Sequence, residues 1–469
     1  MKLPNPLGPA EFYRQAVRIA APVMLQQFIM SMVSLIDNFM VAGLGDMNMA
    51  AVNVSNQLNF IHLVVVNTVC GAGGIYLAQF KGAGDQEGMR QAYRFKFLLS
   101  AAVSALYFLL CWTLADKMLG MMILGNAARG EIIPAGERYI RLLSCTLFPM
   151  ALSMAVGTSY RETGKPGVPL LISAGATVVN TAGNWLLIYG RLGAPALGVT
   201  GAAISTIIAR YLEAGAFLVY ARRGRAPFFV GFTGVLRVKG KLIREVLVKS
   251  GMMFLSELSW ITSETIMTAL YNSRGGAETV AGMAAGFTIA NIFFLLFAGV
   301  WTTTAVLVGG SLGAGRLEEA RRRARWIQSG AVAAGAALAL PGALFALAVI
   351  PLVFRSLTAG ARSISTGLVL VILVYLPLWT LLNAIWAISR AGGDTRTGMY
   401  ADVTVNTFLF VPACFILALR TTIGPVPLFA LVKLSDLFKY AVARHFLRQE
   451  RWVRNLTEPR DPPRGPAPP

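Results

Sequence analysis

Apolar runs of membrane-spanning length recur along almost the whole chain, and no other feature constrains its fold as strongly. About 20 apolar residues suffice to cross the hydrocarbon core of a bilayer. Runs of that kind fall at 15–44, 50–79, 92–115, 133–160, 167–190 and 198–221 in the first half. In the second half they fall at 245–271, 278–309, 324–354, 364–390, 397–419 and 422–446. The length rule therefore predicts about twelve transmembrane helices and an all-α integral membrane fold. A chain that is 55% hydrophobic and 14% charged, with a mean hydropathy of +0.60, has the composition such a fold requires.

The formal net charge of +20 would point to nucleic acid in a soluble protein. Here the basic residues are sorted by loop. Both termini and the connections after spans 2, 4, 6, 8 and 10 carry roughly 31 of the 42 Lys and Arg, and the alternate connections roughly 9. Basic residues collect on the cytoplasmic side, so both termini are expected in the cytoplasm of a bacterial-type inner (plasma) membrane. Runs such as Arg321-Arg322-Arg323 then meet lipid headgroups, and no nucleic-acid partner is needed to explain the charge. The longest basic connection, 222–244, carries Arg222, Arg223, Arg225, Arg237, Lys239 and Lys241.

Chemistry other than transport finds little to use. Cys70, Cys111, Cys145 and Cys414 lie far apart in apolar runs, and His62 and His445 are the only histidines, a poor basis for a zinc or haem site. No GxxxxGK[ST] appears, Gly164-Lys165-Pro166 lacking both the spacing and the hydroxyl residue. No Ser/His/Asp set or HExxH is visible either, so the chain is not expected to be an enzyme or to need a cofactor. Met1 to Ala10 lacks the pattern of a cleaved signal peptide. The tail from Thr457 to Pro469 is Pro-rich and polar, as disordered segments are.

The two halves repeat. Phe80-Lys81-Gly82-Ala83-Gly84-Asp85 after span 2 matches Ser311-Leu312-Gly313-Ala314-Gly315-Arg316 after span 8. Pro149 and Arg161-Glu162-Thr163-Gly164 in span 4 match Pro377 and Arg390-Ala391-Gly392-Gly393 in span 10, and Val179-Asn180-Thr181 matches Val405-Asn406-Thr407. Taken together and in one order, these pairs signal an internal duplication. Six spans is an even number, so the repeats are parallel, with a central cavity expected at their interface. The expected organisation is an amino-terminal six-helix lobe over 1–221, a cytoplasmic connection over 222–244, a carboxyl-terminal lobe over 245–447 and a cytoplasmic tail over 448–469.

Several ionisable or amide residues lie inside the spans, where they are costly and commonly functional. Asp37 sits in Leu35-Ile36-Asp37-Asn38-Phe39 with no base within reach on its own helix, and the apolar stretch continues past it to the Gly43-Leu44-Gly45-Asp46 break. It is either a cation or proton site or a structural acceptor near the helix end. Asn180 and Asn184 are four apart and share a helix face. Their amides can complete an oxygen shell around Na⁺, hydrogen-bond a protonated Asp37, or simply join helices. Glu257 and Glu264, seven apart, share a face two turns apart. Arg210 with Glu213 and Lys433 with Asp436, each three apart, have ion-pair spacing. Asp402 has no obvious partner, and Asp394 is placed to cap span 11. Pro22, Pro149 and Pro377 interrupt helical runs, removing backbone donors and favouring kinks.

Over about residues 12–456 the chain resembles the multidrug and toxic compound extrusion (MATE) transporters. The resemblance rests on the Leu35-Ile36-Asp37 region, the KGAGD and LGAGR loops and the RETGKP stretch at 161–166. It continues through GVTGAAIST at 198–206 and the closing Arg451-Trp452-Val453-Arg454-Asn455-Leu456-Thr457. It implies a secondary antiporter that exports hydrophobic or cationic small molecules in exchange for Na⁺ or H⁺ by alternating access, acting as a monomer in membrane lipid. It also implies that Asp37 is the ion-coupling acid, supported by Asn180, Asn184 and Thr206, and that Glu257 is the acid of the carboxyl-terminal lobe. The chain departs from the sodium-coupled pattern in span 10, where Leu376 to Ser389 holds no carboxylate and Trp379, Thr380 and Asn383 stand instead. Glu257 remains a candidate proton carrier. The rival reading is a lipid-linked oligosaccharide flippase of the same broader superfamily. Such proteins line their cavity with bases, whereas here the expected lining is acidic and Arg210 is the only arginine deep in a span.

Overall fold

The computed structural model describes residues 7–42, 46–123, 129–236 and 240–457. The Gly43-Leu44-Gly45 break, Arg237 and Lys239 of the basic connection, and the Pro-rich tail beyond Thr457 lie outside the described residues. The elements of the first half are α1 (Ala10–Ala42), α2 (Asp46–Ala83), α3 (Gln86–Thr113), α4 (Ala115–Met122), α5 (Arg129–Ser144), α6 (Leu147–Glu162), α7 (Gly167–Tyr189) and α8 (Gly198–Arg223). After the short α9 (Phe232–Val235) come α10 (Gly240–Asn272), α11 (Ala277–Thr304), a π-helical turn (Ala305–Gly309) and α12 (Gly310–Gly313). Then follow α13 (Leu317–Val353), α14 (Ala359–Ala391), α15 (Arg396–Val405), a second π-helical turn (Asn406–Phe410), α16 (Val411–Arg420), α17 (Pro425–Lys433) and α18 (Ser435–Arg448).

Within the described residues every run singled out in the sequence is mainly helical, but the spans are not all straight or equally apolar. Among the described residues nine helices are long and apolar enough to cross a membrane, and ten if α5 and α6, bent by 48° where they meet, form one span. The remaining two of the twelve expected fall short for different reasons, one its charge and the other its length. The α10 helix carries Lys241, Arg244, Glu245, Lys249, Glu257 and Glu264, and the last run is broken at Leu434 into α17 and α18. Large apolar side chains stand exposed along the helices, among them Leu171, Leu340, Val374, Phe408 and Leu419. Water would not tolerate so much apolar surface, and lipid accounts for it.

The chain forms two compact units. The amino-terminal unit comprises Arg18–Gly74 and Arg90–Ser250, and the carboxyl-terminal unit Met1–Val17, Ile75–Met89 and Gly251–Pro469. In the first, Val41, Val52, Tyr139, Leu143, Ile188 and Ala202 form one apolar cluster, and Leu58, Tyr107, Cys111, Leu119 and Ile140 another. In the second, Met267, Tyr271, Leu368, Phe410 and Phe429 belong to the core shared by α10, α11, α14, α17 and the second π-helical turn. The cysteines are unpaired, and Cys70, Cys111 and Cys414 are buried.

The duplicated loops have duplicated geometry. Gly84 and Gly315 end their helices at φ +72° and +71°, and Gly164 and Gly393 theirs at +81° and +77°, a left-handed region that side chains with a Cβ avoid. Within the carboxyl-terminal unit the two glycine loops touch. A Cβ on Gly82 would strike the Gly310 carbonyl, and one on Gly313 the Gln79 backbone.

Candidate functional site: the buried acids of the two units

The amino-terminal site is built where α7 and α8 pack face to face. Pro166 precedes α7, and Gly190 ends it at φ +64° with its N–H bonded to the Leu186 carbonyl. The chain then turns directly into α8. Small residues bring the two helices close, since a Cβ on Gly183 would strike Ser205 and one on Gly201 would strike the Leu187 carbonyl. That approach sets the buried Asn180 and Asn184 of α7 beside Ser205 and Thr206 of α8.

Asp37 of α1 completes the group. The Asn184 amide nitrogen donates to its Oδ1 at 2.8 Å. With the Asn180 amide oriented to satisfy both of its neighbours, its nitrogen lies 3.1 Å from Asp37 Oδ2 and its oxygen 3.2 Å from Thr206 Oγ1. The Asn180 main-chain carbonyl accepts from Ser205 Oγ at 2.8 Å. The four sequence-selected residues of this half therefore form one cluster around a half-buried carboxylate. The Asn184 side-chain oxygen, on the same cluster, is buried without a hydrogen-bond partner, the kind of orphan acceptor that a cation satisfies. Two oxygen types that suit Na⁺, a carboxylate and an amide carbonyl, are thus at hand. Among the described residues no group of three or more His, Cys, Asp or Glu is arranged to hold a metal ion.

Sequence spacing pointed to the pair of Arg210 and Glu213, and they bond at 2.7 Å. Their surroundings were not legible. Ser173 Oγ donates to Glu213 at 2.7 Å and accepts from Gln26 Nε2 at 3.0 Å, which ties α8 through α7 to the first helix one turn past Pro22. Arg210 lies one turn beyond Thr206 on α8 and acts on Asp37 through space. Tyr139 of α5 is buried within electrostatic range of the same carboxylate. No local pattern marks any of these as neighbours of Asp37, because each arrives from a different helix.

In the carboxyl-terminal unit Glu257 and Glu264 each stand with a fixed base. Glu257 accepts from Arg390 at 3.3 Å, and the Arg390 guanidinium lies 4.6 Å from the centre of the Trp301 ring. Glu264 pairs with Lys433. Sequence spacing paired Lys433 with Asp436 instead, and the structure corrects this. The helix breaks at Leu434, and Asp436 bonds Trp379 Nε1 at 2.8 Å and Lys439 at 3.4 Å. Asp402 also has partners, Ser256 Oγ and, at 3.7 Å, Lys439. Asp394 accepts from the Thr397 backbone N–H and from its hydroxyl, as a helix cap does. In α14, Asn383 accepts from Trp301 Nε1 at 2.8 Å, and Thr380 bonds the Pro377 carbonyl. Glu257 and Glu264 thus face separate bases and make no joint acid site.

Comparison with known proteins agrees with this architecture. The MatE family model matches residues 22–186 and 253–416, one match in each half of the repeat. The chain is 28% identical over 323 residues to a probable multidrug resistance protein NorM of Deinococcus radiodurans, covering 66% of each chain. It is 24% identical over 409 residues to an uncharacterized transporter, YisQ, of Bacillus subtilis, covering 86% of this chain and 87% of that one. The chain thus spans about two thirds of the first relative and most of the second. The outward-facing structure of a multidrug resistance MATE family transporter of the MOP superfamily superposes with a TM-score of 0.82 over 93% of this chain and 95% of that one. Its 20% identity makes that a likeness of fold. With a duplicated all-helical membrane fold and a family match in both halves, the chain belongs to the MatE family of multidrug and toxic compound extrusion transporters.

Proposed function

We propose that this protein is a secondary antiporter of the bacterial inner membrane that exports hydrophobic or cationic compounds in exchange for Na⁺ or H⁺ by alternating access. It acts as a monomer with both termini in the cytoplasm, and Asp37 is its ion-coupling acid. The observation that carries this reading is the company Asp37 keeps. Among the described residues its hydrogen-bond partners are the amides of Asn184 and Asn180, and no base lies in ion-pair contact with it. A carboxylate inside a membrane helix that no base contacts is a natural receptor for a mobile cation.

The cluster also supplies a reason why occupancy would change the packing. An ionised Asp37 accepts two amide N–H groups, one on each oxygen. A proton on either oxygen turns that acceptor into a donor, and the facing amide must rotate or withdraw. A Na⁺ ion draws in the Asn184 oxygen, which reverses the amide and breaks its bond to Asp37. Either event loosens the link between α1 and α7 and biases a two-state element through a local charge change.

The test is ethidium efflux from energised everted vesicles, wild type against Asp37→Asn, with Na⁺ and the proton gradient varied separately. Efflux that follows one ion and falls at least about tenfold in the variant is the expected result, a loss of about 1.4 kcal/mol or more in driving interaction. Full efflux by a correctly inserted variant removes Asp37 from the mechanism. If no cation moves under either gradient, the flippase reading takes precedence.

A further inference from the structure

The internal repeat sets the acids Asp37 of α1 and Glu264 of α10 in correspondence. Glu264 lies 227 residues after Asp37, Asn406 lies 226 after Asn180, and Lys433 lies 227 after Thr206, all at the spacing of the duplicated motifs. The two halves have therefore kept the acid and the amide but exchanged a hydroxyl for an ammonium. In the carboxyl-terminal unit Asn406 turns away from the acid and donates to Ser259 Oγ at 3.1 Å, while Glu264 holds Lys433.

The surroundings of Lys433 are those of a receptor for an ammonium ion. Its Nζ lies 5.0 Å from the centre of the Phe410 ring, 5.4 Å from that of Phe429 and 5.6 Å from that of Trp379. Ring faces within about 6 Å attract a cation, and cages of such rings recognise ammonium ligands. The side chain is 8% exposed against 27% for Glu264, so the cation is enclosed and the carboxylate marks the open side. Lys433 also ends α17, where the carbonyl ends of a helix favour positive charge. Glu264 and the ring faces answer the charge of an alkylammonium, and Asp436, which accepts from Trp379 Nε1 at 2.8 Å, adds a second carboxylate in the neighbourhood.

We propose that Glu264, Phe410, Phe429 and Trp379 form an ammonium-binding site whose resident is the chain's own Lys433, and that this tethered cation excludes external alkylammonium ions from the carboxyl-terminal unit. The inference stands apart from the coupling role assigned to Asp37, since it concerns binding alone and needs no gradient.

Chemical rescue tests it. Lys433→Ala removes Cγ to Nζ, and n-propylammonium restores those atoms. Purified wild type, K433A and E264Q/K433A are melted with rising n-propylammonium chloride, with NaCl at equal ionic strength as control. The expected result is a Tm rise of about 4 °C in K433A alone, and no response from the wild type or the double variant. A folded K433A that ignores the amine, or a wild type that responds equally, overturns the proposal. Should K433A not purify as a monodisperse species, the double variant decides. Recovery of the folded protein once the orphaned carboxylate is neutralised supports the assignment, and failure alike overturns it.

Discussion

At the scale of single residues the embedded acids divide into two kinds. Asp37 meets amides, whereas Glu162, Glu213, Glu257, Glu264, Asp402 and Asp436 each meet a base. Lys96 illustrates the second kind. It is fully buried, 2.7 Å from Glu162 and 3.2 Å from Ser159 Oγ, and Gly74 is small enough to let Glu162 in. Lys96→Met should cost about 3–5 kcal/mol because it strands a buried carboxylate. A melt of the purified protein checks this, and adding Glu162→Gln should recover much of the loss. Asn184→Ala makes the complementary case. It removes a donor to Asp37 without stranding a charge, so coupled ethidium efflux should fall while the melting temperature stays within a few degrees. Asp37 was legible in the sequence because an acid without a nearby base is conspicuous in an apolar run. The partner of Lys433 was not, because a three-residue spacing assumes an unbroken helix and α17 stops at that very residue.

At the scale of elements, some helices are joined by a side chain that captures backbone groups of another segment. Gln79, fully buried near the end of α2, donates to the Ala391 carbonyl at 2.7 Å and the Arg454 carbonyl at 3.3 Å and accepts from the Leu456 N–H at 2.7 Å. One side chain thus ties α2, α14 and the closing segment, whose Trp452 is buried and whose Gly392 neighbour has no room for a Cβ. Gln79→Ala leaves those backbone groups unpaired and should cost about 1–3 kcal/mol, with faster protease cleavage around residues 450–457 as the readout. The conserved order of motifs between the halves made the glycine loops readable, since Gly84 and Gly315 answer a local backbone demand. The role of Gln79 was not readable, because its partners lie more than 300 positions away in the chain. Nor were the π-helical turns at Ala305–Gly309 and Asn406–Phe410, which widen a helix to suit neighbours that a single run does not encode.

At the scale of the whole molecule, charge and length govern. The loop-sorted lysines and arginines predict that Arg225→Cys, in a cysteine-free background, is labelled by an impermeant maleimide only from the cytoplasmic face, and Arg191→Cys only from outside. Reversed labelling would overturn the assigned orientation. The sequence by itself determined that the chain is a helical membrane protein, that it is duplicated, and that Asp37 stands out among its embedded acids. Those properties follow from runs and repeats, in which neighbours in the chain are neighbours in the argument. Only the tertiary structure decided which polar group faces which. The bonds of Asn184 to Asp37, of Arg390 to Glu257 and of Lys433 to Glu264 span 147, 133 and 169 positions. Such pairings depend on how closely helices approach and where they break, and both are set by packing between helices, as at Gly183 against Ser205.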